Sequence, residues 1–393
     1  MSLPRVVMVS RRFWPLVGGA ETAMAGLAAS FQARGAATTL LTARWKPEWP
    51  LTIEHRGVRV VRIAQPARRF WGSARYMMRL AGWLEAHAGQ FEVVYVSMLK
   101  HDAYAALGAC RSLGVPVVLR AEGGGPSGDC AWQSQYPLGG VIRRRCMRRA
   151  AAIVAPSEAI ENELLAAGYS PERIERIPNG VALPEPRSAE RQVRARVSLA
   201  LANPALRFGP RDRLTLYTGR LHRLKGLDTL VAAWAEVARD HPHEKLWLVG
   251  EGPEEERLRE QIGAAGLEGQ VSLAGAFDSV DDLLLAADRF VLPSHEEGMS
   301  LALLEAMAAG LPVVASDIAG NRALIDHSVH GMLAPPGDAA TLAAAVLSLV
   351  RDPLRGERLG AAARRRVAEQ YSLERMTDRH LALFERVRKA AAR

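Results

Sequence analysis

The sequence predicts an α/β protein with two doubly wound parallel-sheet domains that face each other across a cleft. The chain has 393 residues, which is enough for two or three domains that each bury a core. Short apolar strands alternate with helices in two separate stretches, and this is the pattern of parallel sheets covered by helices. A polar connection that carries arginine and proline separates the two stretches, as is typical of a linker.

The N-terminal domain is expected over residues 1–185. It begins with a strand at Val6–Ser10, a loop, a helix from Glu21 to about Arg34, and a strand at Thr38–Thr42, which together form a βαβ unit. Further strands are predicted over residues 58–63, 92–97, 115–120, 153–156 and 173–177. Helices are predicted over residues 71–89, 102–113, 138–150 and 158–167.

A linker over residues 186–213 and a C-terminal domain over residues 214–372 are expected to follow. Strands of this domain are predicted over residues 214–218, 245–249, 271–274, 289–292, 312–316 and 331–334. Helices are predicted over residues 226–239, 253–265, 280–287, 319–325, 339–350 and 354–371, with one more ending before Gly310. The last helix, in residues 373–393, is expected to pack back on the N-terminal domain.

Composition and charge indicate a cytoplasmic protein. No apolar run approaches the ~18–20 residues that span a bilayer, and the three cysteines show no metal-binding or CxxC spacing. The net charge of +9 is concentrated in two arginine clusters, near residues 68–79 and 143–149. These clusters could bind an anionic membrane surface on the inner face of the membrane, or they could be solvated helix faces. No nucleic-acid partner is expected, because only these clusters would support one.

Three loops at predicted strand ends of the N-terminal domain carry candidate site residues. Gly18 and Gly19 precede a helix, where backbone could approach a ligand closely, although most such pairs are only tight turns. A glycine-rich loop after residue 120 carries Glu122, with Arg120 and Asp129 near it, at the edge where open α/β sheets bind ligands. Asn179 lies in a turn that could line the hinge.

A pair of cations follows the first predicted strand of the C-terminal domain. Gly219 and Arg220 end this strand, and Lys225 precedes the next helix. Arginine offers a fork of donors and lysine a point charge, so the pair suits a diphosphate, but it could also be a surface turn with two solvated cations. Gly250 begins a second glycine loop at the next strand end, which is more commonly a turn.

Two carboxylates mark the segment 290–316, which reads as a strand, an acidic loop, a helix and a strand. Glu297 lies in the loop and Glu305 in the helix, eight residues later. Gly298, Met299 and Ser300 between them should present backbone N–H groups at the helix start, where anions are favoured. The two acids could therefore bracket a nucleotide-linked small molecule.

Taken together, these segments resemble the GT-B-fold retaining glycosyltransferases of family four, the glycosyl transferases group 1. The resemblance covers nearly the whole chain in the order of the family. It rests on GGAE at 18–21, PSEAI at 156–160, IPNG at 177–180, GRLHRLKGLD at 219–228, VGEGP at 249–253 and SHEEGMSLALLEAMAAGLPVVAS at 294–316. It implies the GT-B architecture of two Rossmann-like domains.

The resemblance also implies an activity: transfer of a sugar from a nucleotide-diphosphate sugar to a lipid-linked or glycan acceptor, in cell-surface polysaccharide or glycolipid synthesis. Arg220, Lys225 and Glu297 would be the catalytic residues, with the two cations on the diphosphate and Glu297 on the sugar hydroxyls. Glu305 would contact the ribose, and the other donor-binding residues would be Gly18, Gly19, Gly219, Gly250, Gly298, Met299, Ser300 and Leu301. Glu122 and Asn179 would face the acceptor or the donor sugar.

No metal or other cofactor is expected, because the sequence has no DxD pair near the predicted diphosphate site. One departure from the family concerns Glu122, which stands where many relatives carry a histidine, so its role stays open. Two other functions remain as alternatives: a sugar-nucleotide binding protein of GT-B shape without turnover, and a sugar-nucleotide epimerase on a similar frame.

Overall fold

A computed structural model describes residues 3–16, 18–64, 69–206 and 209–392, without the side chains of residues 69–71. The chain divides into two compact units, of which the first joins residues 1–180 to residues 373–393 and the second comprises residues 181–372. Each unit has one sheet with helices packed against it.

The strands are β1 (Val6–Val9), β2 (Thr38–Arg44), β3 (Thr52–His55), β4 (Val58–Ala64), β5 (Val93–Ser97), β6 (Val117–Arg120), β7 (Ala152–Ala155), β8 (Ile174–Arg176), β9 (Arg213–Thr218), β10 (Glu244–Val249), β11 (Val271–Leu273), β12 (Arg289–Leu292), β13 (Val313–Ser316) and β14 (Met332–Ala334). The helices are α1 (Gly19–Ala33), α2 (Arg69–Ala86), α3 (His101–Leu113), α4 (Asp129–Gln135), α5 (Gly139–Arg149), α6 (Glu158–Ala166), α7 (Ala189–Ala202), α8 (Leu227–Asp240), α9 (Glu255–Ala264), α10 (Asp281–Ala286), α11 (Leu301–Ala308), α12 (Ala319–Arg322), α13 (Ala339–Arg351), α14 (Pro353–Gln370) and α15 (Leu373–Ala391).

The sheet of the first unit has the strand order β3-β4-β2-β1-β5-β6-β7-β8. Neighbouring strands are parallel, except that β3 pairs antiparallel with β4 at the edge. All four residues of β1 are buried, as expected for a central strand covered on both faces. The strand order reverses between β1 and β5, and the carboxyl ends of these two strands flank the place where such sheets bind ligands.

Two apolar clusters cover the two faces of this sheet. Val7 and Val9 of β1 face the cluster formed with α2, α3 and α5, whereas Val6 and Met8 face the cluster formed with α1 and α15. This split follows from the two-residue period of a strand. Phe384 of α15 lies deep in the second cluster, so the last helix belongs to the first unit.

The sheet of the second unit has the strand order β11-β10-β9-β12-β13-β14, and its neighbouring strands are all parallel. Here the order reverses between β9 and β12. Residues that follow β9 and β12 therefore come together at the carboxyl edge of the sheet, although they are far apart in the sequence.

The structure differs from the predicted elements in three places. The segment expected as a linker with one modest helix does contain one helix, α7, but this helix packs on α10 within the second unit, with Arg196 paired to Asp288 at 2.7 Å. Strand β3 was not predicted, because it is an edge strand whose side chains are exposed or half-buried. Helix α4 was not predicted, and it begins at Asp129, the last residue of the glycine-rich stretch expected as a loop.

Within the described ranges, none of the helices combines the length and the apolar character needed to cross a membrane.

Candidate functional site

An ion pair lies at the carboxyl edge of the second sheet, where the strand order reverses. The Lys225 ammonium lies 2.6 Å from Oε1 of Glu297, 72 residues further along the chain. The hydroxyl of Ser294 donates to the same carboxylate oxygen at 2.7 Å. The side chains of Lys225 and Glu297 are only 26% and 10% exposed. Since an ammonium has three donors and Glu297 takes one, Lys225 retains capacity for further acceptors such as phosphate oxygens.

The loop after β12 holds Lys225 in place. Lys225 ends a 3-10 turn over Arg223–Lys225, and Gly226 follows in the left-handed conformation with φ of 62°. A Cβ atom on Gly226 would lie 2.2 Å from the carbonyl oxygen of Pro293, so only glycine fits there. The backbone N–H of His295 donates to the carbonyl of Leu224 at 2.8 Å. The turn after β9 and the loop after β12 are therefore joined through their backbones.

A second glycine supports the loop at Glu297. A Cβ atom on Gly320, in α12 after β13, would lie 2.2 Å from the carbonyl oxygen of Glu297. Neither Gly320 nor Ser294 was among the predicted site residues. In the sequence, Gly320 stands soon after a strand end and Ser294 directly before the acidic loop.

The predicted glycines 219 and 250 lie at neighbouring strand ends. Both have positive φ angles, 152° and 145°, and a Cβ atom on Gly250 would lie 1.8 Å from the carbonyl oxygen of Gly219. The hydroxyl of Tyr217 donates to the carbonyl of Arg220 at 3.0 Å. Burial and the nearby negative charge of Glu297 hold the pKa of Tyr217 well above its ordinary value, so this phenol stays a neutral donor.

Arg220 is the predicted catalytic residue that the structure does not bring into the ion pair. Arg220 is exposed at the edge of the sheet, and none of the ion pairs among the described residues includes it. Its main chain, by contrast, is fixed by the bond from Tyr217. The guanidinium is thus in reach of solvent at the mouth of the site.

The start of α11 lies beside the Glu297 loop. The Ser300 hydroxyl accepts from the backbone N–H of Leu303 at 3.3 Å and caps the helix. Gly298 and Met299 are half-buried just before this cap, and Leu301 is the buried first residue of the helix. Glu305 is half-buried about 6 Å further along the helix axis, one turn beyond its start. The positive N-terminal end of α11 therefore begins four residues after Glu297, the partner of Lys225.

In the first unit, Gly18 and Gly19 lie at the start of α1, as its cap and its first residue. A Cβ atom on Gly18 would contact only the flexible carboxylate of Glu21, and a Cβ atom on Gly19 would have nothing within 4 Å. Packing within this unit does not require glycine at either position. Their role in donor binding stays a prediction.

Glu122 and Asn179 are brought together by the buried Arg120. The guanidinium Nε of Arg120 lies 2.9 Å from Oε1 of Glu122, and another of its nitrogens donates to the side-chain oxygen of Asn179. The hydroxyl of Ser97, at the end of β5, donates to the same Oε1 at 2.8 Å. Burial raises the pKa of Glu122 above its ordinary value, and the charge of Arg120 partly opposes this shift.

The carboxylate of Asp129, at the start of α4, holds the two loops that carry these groups. It accepts the backbone N–H of Glu122 at 2.9 Å and that of Leu99 at 3.2 Å. The loops after β5 and β6 are therefore tied together.

In the part of the chain that the structure describes, no three histidine, cysteine, aspartate or glutamate side chains form a group that could hold a metal ion. The expectation of a metal-independent reaction stays a prediction.

Two family models match the sequence. The model described as "Glycosyl transferase 4-like domain" matches residues 18–180, and the model described as "Glycosyl transferases group 1" matches residues 212–352. The sequence is similar to alpha-D-kanosaminyltransferase of Streptomyces kanamyceticus, with 28% identity over 291 residues, which are 70% of this chain and 72% of that protein.

Solved structures show the same fold. Sucrose-phosphate synthase of Thermosynechococcus elongatus superimposes with a TM-score of 0.81 at 22% identity, over 98% of this chain and 100% of that chain. HepE of Anabaena, in complex with UDP and glucose, superimposes with a TM-score of 0.78 at 20% identity, over 96% of this chain and 98% of that chain.

Proposed function

The chain belongs to the group 1 glycosyltransferases of GT-B fold, and from this premise we propose that it transfers a sugar, with retention, from a nucleotide-diphosphate sugar to a saccharide or lipid-linked acceptor. The observation that carries this proposal is the Lys225–Glu297 ion pair at the point where the strand order of the second sheet reverses. The pair puts a cation and a fixed carboxylate within one small region, as a sugar bound to a diphosphate requires.

The donor would bind at the carboxyl edge of the second sheet. Lys225 and the start of α11 would hold the diphosphate oxygens, and Arg220 would add a fork of donors from the exposed edge. Oε1 of Glu297 is taken by Lys225 and Ser294, so its other oxygen can accept hydrogen bonds from sugar hydroxyls. A UDP-sugar is the first donor to test, because the similar HepE binds UDP and glucose.

The reaction would depend mainly on stabilising the leaving group. The bond between the anomeric carbon and the phosphate oxygen breaks, and the electron pair leaves with the diphosphate. The acceptor oxygen forms its bond on the same face of the sugar, and its proton passes to an oxygen of the leaving phosphate. Lys225 and Arg220 would stabilise the negative charge that develops on the phosphate, and such stabilisation is commonly the largest contribution to a rate enhancement.

Release of nucleotide from UDP-, GDP- and ADP-sugars tests this proposal, with donor affinity measured by calorimetry. We expect Lys225→Ala to lower kcat about 10²–10³-fold, the range found for single groups that stabilise a developing charge. The matched control is Lys245→Ala, because Lys245 lies near the start of β10, at the amino edge of the sheet, and its ammonium donates to the carbonyl of Gly269, its one side-chain hydrogen bond to the described residues. Equal rates for Lys225→Ala and Lys245→Ala would contradict the proposal. If the wild type and both lysine variants bind donor tightly and release nucleotide equally slowly, the result would instead favour a binding protein without turnover.

We propose further that the first unit binds an anionic membrane surface, where a lipid-linked acceptor is found. Helices α2, α3 and α5 pack side by side on one face of the first sheet. The exposed arginines of this helical layer are Arg75, Arg79, Arg111, Arg144, Arg148 and Arg149. Exposed apolar side chains lie among them at Met78, Leu138 and Val141.

The charges of this layer are poorly balanced. The acids of α2, α3 and α5 are Glu85 and Asp102, and Asp102 is buried. The pKa of Arg149 is lowered, by desolvation and then by the charges of neighbouring arginines. Arg68, which was predicted to belong to this surface, lies outside the described residues, as do the side chains of residues 69–71. Exposed cations mixed with apolar groups suit an anionic bilayer surface.

Flotation with vesicles of phosphatidylcholine, with and without phosphatidylglycerol, tests the membrane proposal. We expect the wild type to float only with the anionic vesicles, and the double variant Arg148→Glu/Arg149→Glu to lose at least about tenfold in affinity, since each basic residue near the surface contributes about 1 kcal/mol. Arg358→Glu/Arg365→Glu on α14 makes the same change in net charge on exposed residues of the second unit and should still float. The proposal that this helical layer binds membranes is wrong if the two double variants bind the anionic vesicles equally well, or if the wild type does not float with them.

A further inference from the structure

A chain of buried polar contacts runs through the first unit from the last helix to Glu122. It begins at His380 of α15, continues to Tyr95 of β5 and to Arg120 of β6, and ends on Glu122 and Asn179. His380, Tyr95 and Arg120 are each at most 1% exposed. Because buried polar groups cost free energy unless they are paired, such a chain has a fixed geometry.

The hydrogen bonds of His380 have one possible direction. Its Nδ1 lies 2.8 Å from the carbonyl oxygen of Met376, which can only accept, so Nδ1 carries the proton. Nε2 is then the acceptor for the hydroxyl of Tyr95, 2.9 Å away. Burial and the charge of Arg120 lower the pKa of His380 to about 3, and the ring packs among those of Phe31 and Phe384. His380 is therefore neutral and held in one tautomer.

This arrangement fixes Arg120 from the side opposite Glu122. The proton of the Tyr95 hydroxyl points to His380, so the oxygen faces Arg120 with its lone pairs and accepts from the guanidinium at 3.4 Å. The same guanidinium holds Glu122 and Asn179. If the phenol turned or were lost, the buried cation would lose a partner and could shift away from the carboxylate.

We infer that His380 and Tyr95 are positioning residues for the transfer reaction: through Arg120 they hold Glu122 and Asn179 at the ligand-binding edge of the first sheet. Both partners of the Glu122 carboxylate among the described side chains contact Oε1. Oε2 can then accept a hydrogen bond from a substrate hydroxyl, and the side chain retains 8% exposure. The inference rests on the proposed function, in that it takes Glu122 to contact substrate.

The pH dependence of kcat/KM tests this inference. Besides Arg120, the titratable or charged groups that face Glu122 are Tyr95, Asp129 on α4, and Lys100, which lies 3.9 Å from Asp129. A nearby cation lowers a carboxyl pKa by 1–3 units, so a misplaced Arg120 should move the acid limb of the profile to higher pH by about one unit.

Two pairs of variants separate positioning from general damage. His380→Gln retains an acceptor for the Tyr95 hydroxyl and should keep the wild-type profile, whereas His380→Leu removes the acceptor and should shift the profile. Tyr95→Phe should shift the profile in the same direction. Its matched control is Tyr371→Phe, which also removes a well-buried hydroxyl, bonded to the carbonyl of Ala323 at 3.0 Å in the second unit, and should leave the profile unchanged.

Glu122→Gln distinguishes failure of the inference from failure of the proposed function. If Glu122→Gln has wild-type kcat/KM at every pH, Glu122 does not contact substrate, and its place in the proposed function is wrong. If Glu122→Gln loses activity but His380→Leu and Tyr95→Phe keep the wild-type profile, the inference is wrong. Should His380→Leu not fold, Tyr95→Phe decides the matter, with the ring-nitrogen NMR shift of His380 reporting whether the hydrogen bond to Nε2 has been lost.

Discussion

Replacing Gly320 by alanine should move Glu297 while every side chain proposed to contact substrate keeps its chemical identity. Gly320 is a buried residue of α12, and a Cβ atom there would lie 2.2 Å from the carbonyl oxygen of Glu297 and 3.3 Å from its Cβ. Ordinary contact begins at 3.4 Å, and the nearer obstacle is backbone, which cannot rotate away as the end of a side chain can. The loop would therefore have to shift by about 1 Å.

A shift of this size matters because the carboxylate of Glu297 is held by two short contacts. Lys225 and Ser294 lie 2.6 Å and 2.7 Å from its Oε1, and a displacement of about 1 Å would break at least one hydrogen bond. A misplacement of about 1 Å in an active site can cost about 100-fold in rate. Overpacking should lower the free energy of unfolding of the second unit by about 1–3 kcal/mol. We therefore expect Gly320→Ala to remain folded and to lose about 100-fold in kcat for nucleotide release.

The assay compares nucleotide release and thermal unfolding for Gly320→Ala and for Gly269→Ala. Gly269 is an exposed turn residue of the same unit, and a Cβ atom there would have nothing within 4 Å. The control should match the wild type in both measurements. A folded Gly320→Ala protein with activity within twofold of the control would refute the reasoning, since Glu297 would then tolerate the displaced loop or have no part in the reaction.

Two further predictions concern stability and pH. The pKa of His380 is about 3 in the folded protein and near 6.5 in the unfolded chain, so between these pH values only the unfolded state binds the extra proton. The free energy of unfolding should therefore fall as the pH falls from 6.5 towards 3, by up to about 1.4 kcal/mol per pH unit. Urea titrations of His380→Gln should lack this slope. Burial raises the pKa of Asp102, and the charge of Arg11 opposes this shift, so the folded state holds the proton to a higher pH than the unfolded state does. The wild type should therefore lose stability as the pH rises from 3.8 through the raised pKa, whereas Asp102→Asn should not, and the urea midpoint of the variant should rise relative to that of the wild type. A difference between the two midpoints that stays constant with pH would contradict this prediction.

The fold was predictable because each of its main features has a local signal. The alternation of strands and helices in two stretches gave two parallel sheets, and the GT-B fold is confirmed by the strand orders and by the similar solved structures. The boundary between the two units was harder to predict from the sequence. Helix α7 leaves Val193, Val197 and Leu201 exposed, so its apolar pattern does not mark the face that packs. What places it in the second unit is its packing on α10, with Arg196 paired to Asp288, which the sequence of α7 alone cannot show.

That the two residues proposed for the donor side lie at one edge of the sheet was predictable for a related reason. Lys225 and Glu297 each lie in the loop that follows a strand, and the carboxyl ends of strands β9 and β12 meet because the strand order reverses between them. The sequence therefore indicated both residues, though not the contact between them. Gly320 was missed because its importance is steric: it depends on how closely α12 approaches the carbonyl of Glu297, a distance that no sequence pattern records.

Glu122, which we infer to face substrate, differs from the proposed donor-side pair Lys225 and Glu297 in where its supporting residues come from. The loop glycine at 226 and the serine at 294 lie within three residues of the groups they support, whereas His380 lies 285 residues from Tyr95 in the sequence. A short motif can specify the donor side, but the orientation of Glu122 depends on the fold of the first unit being completed by its last helix. Binding of donor and positioning of Glu122 should therefore respond separately to substitution: changes in α15 should alter the pH profile of transfer, whereas donor affinity, which we propose to depend mainly on Lys225 and the start of α11, should stay unchanged.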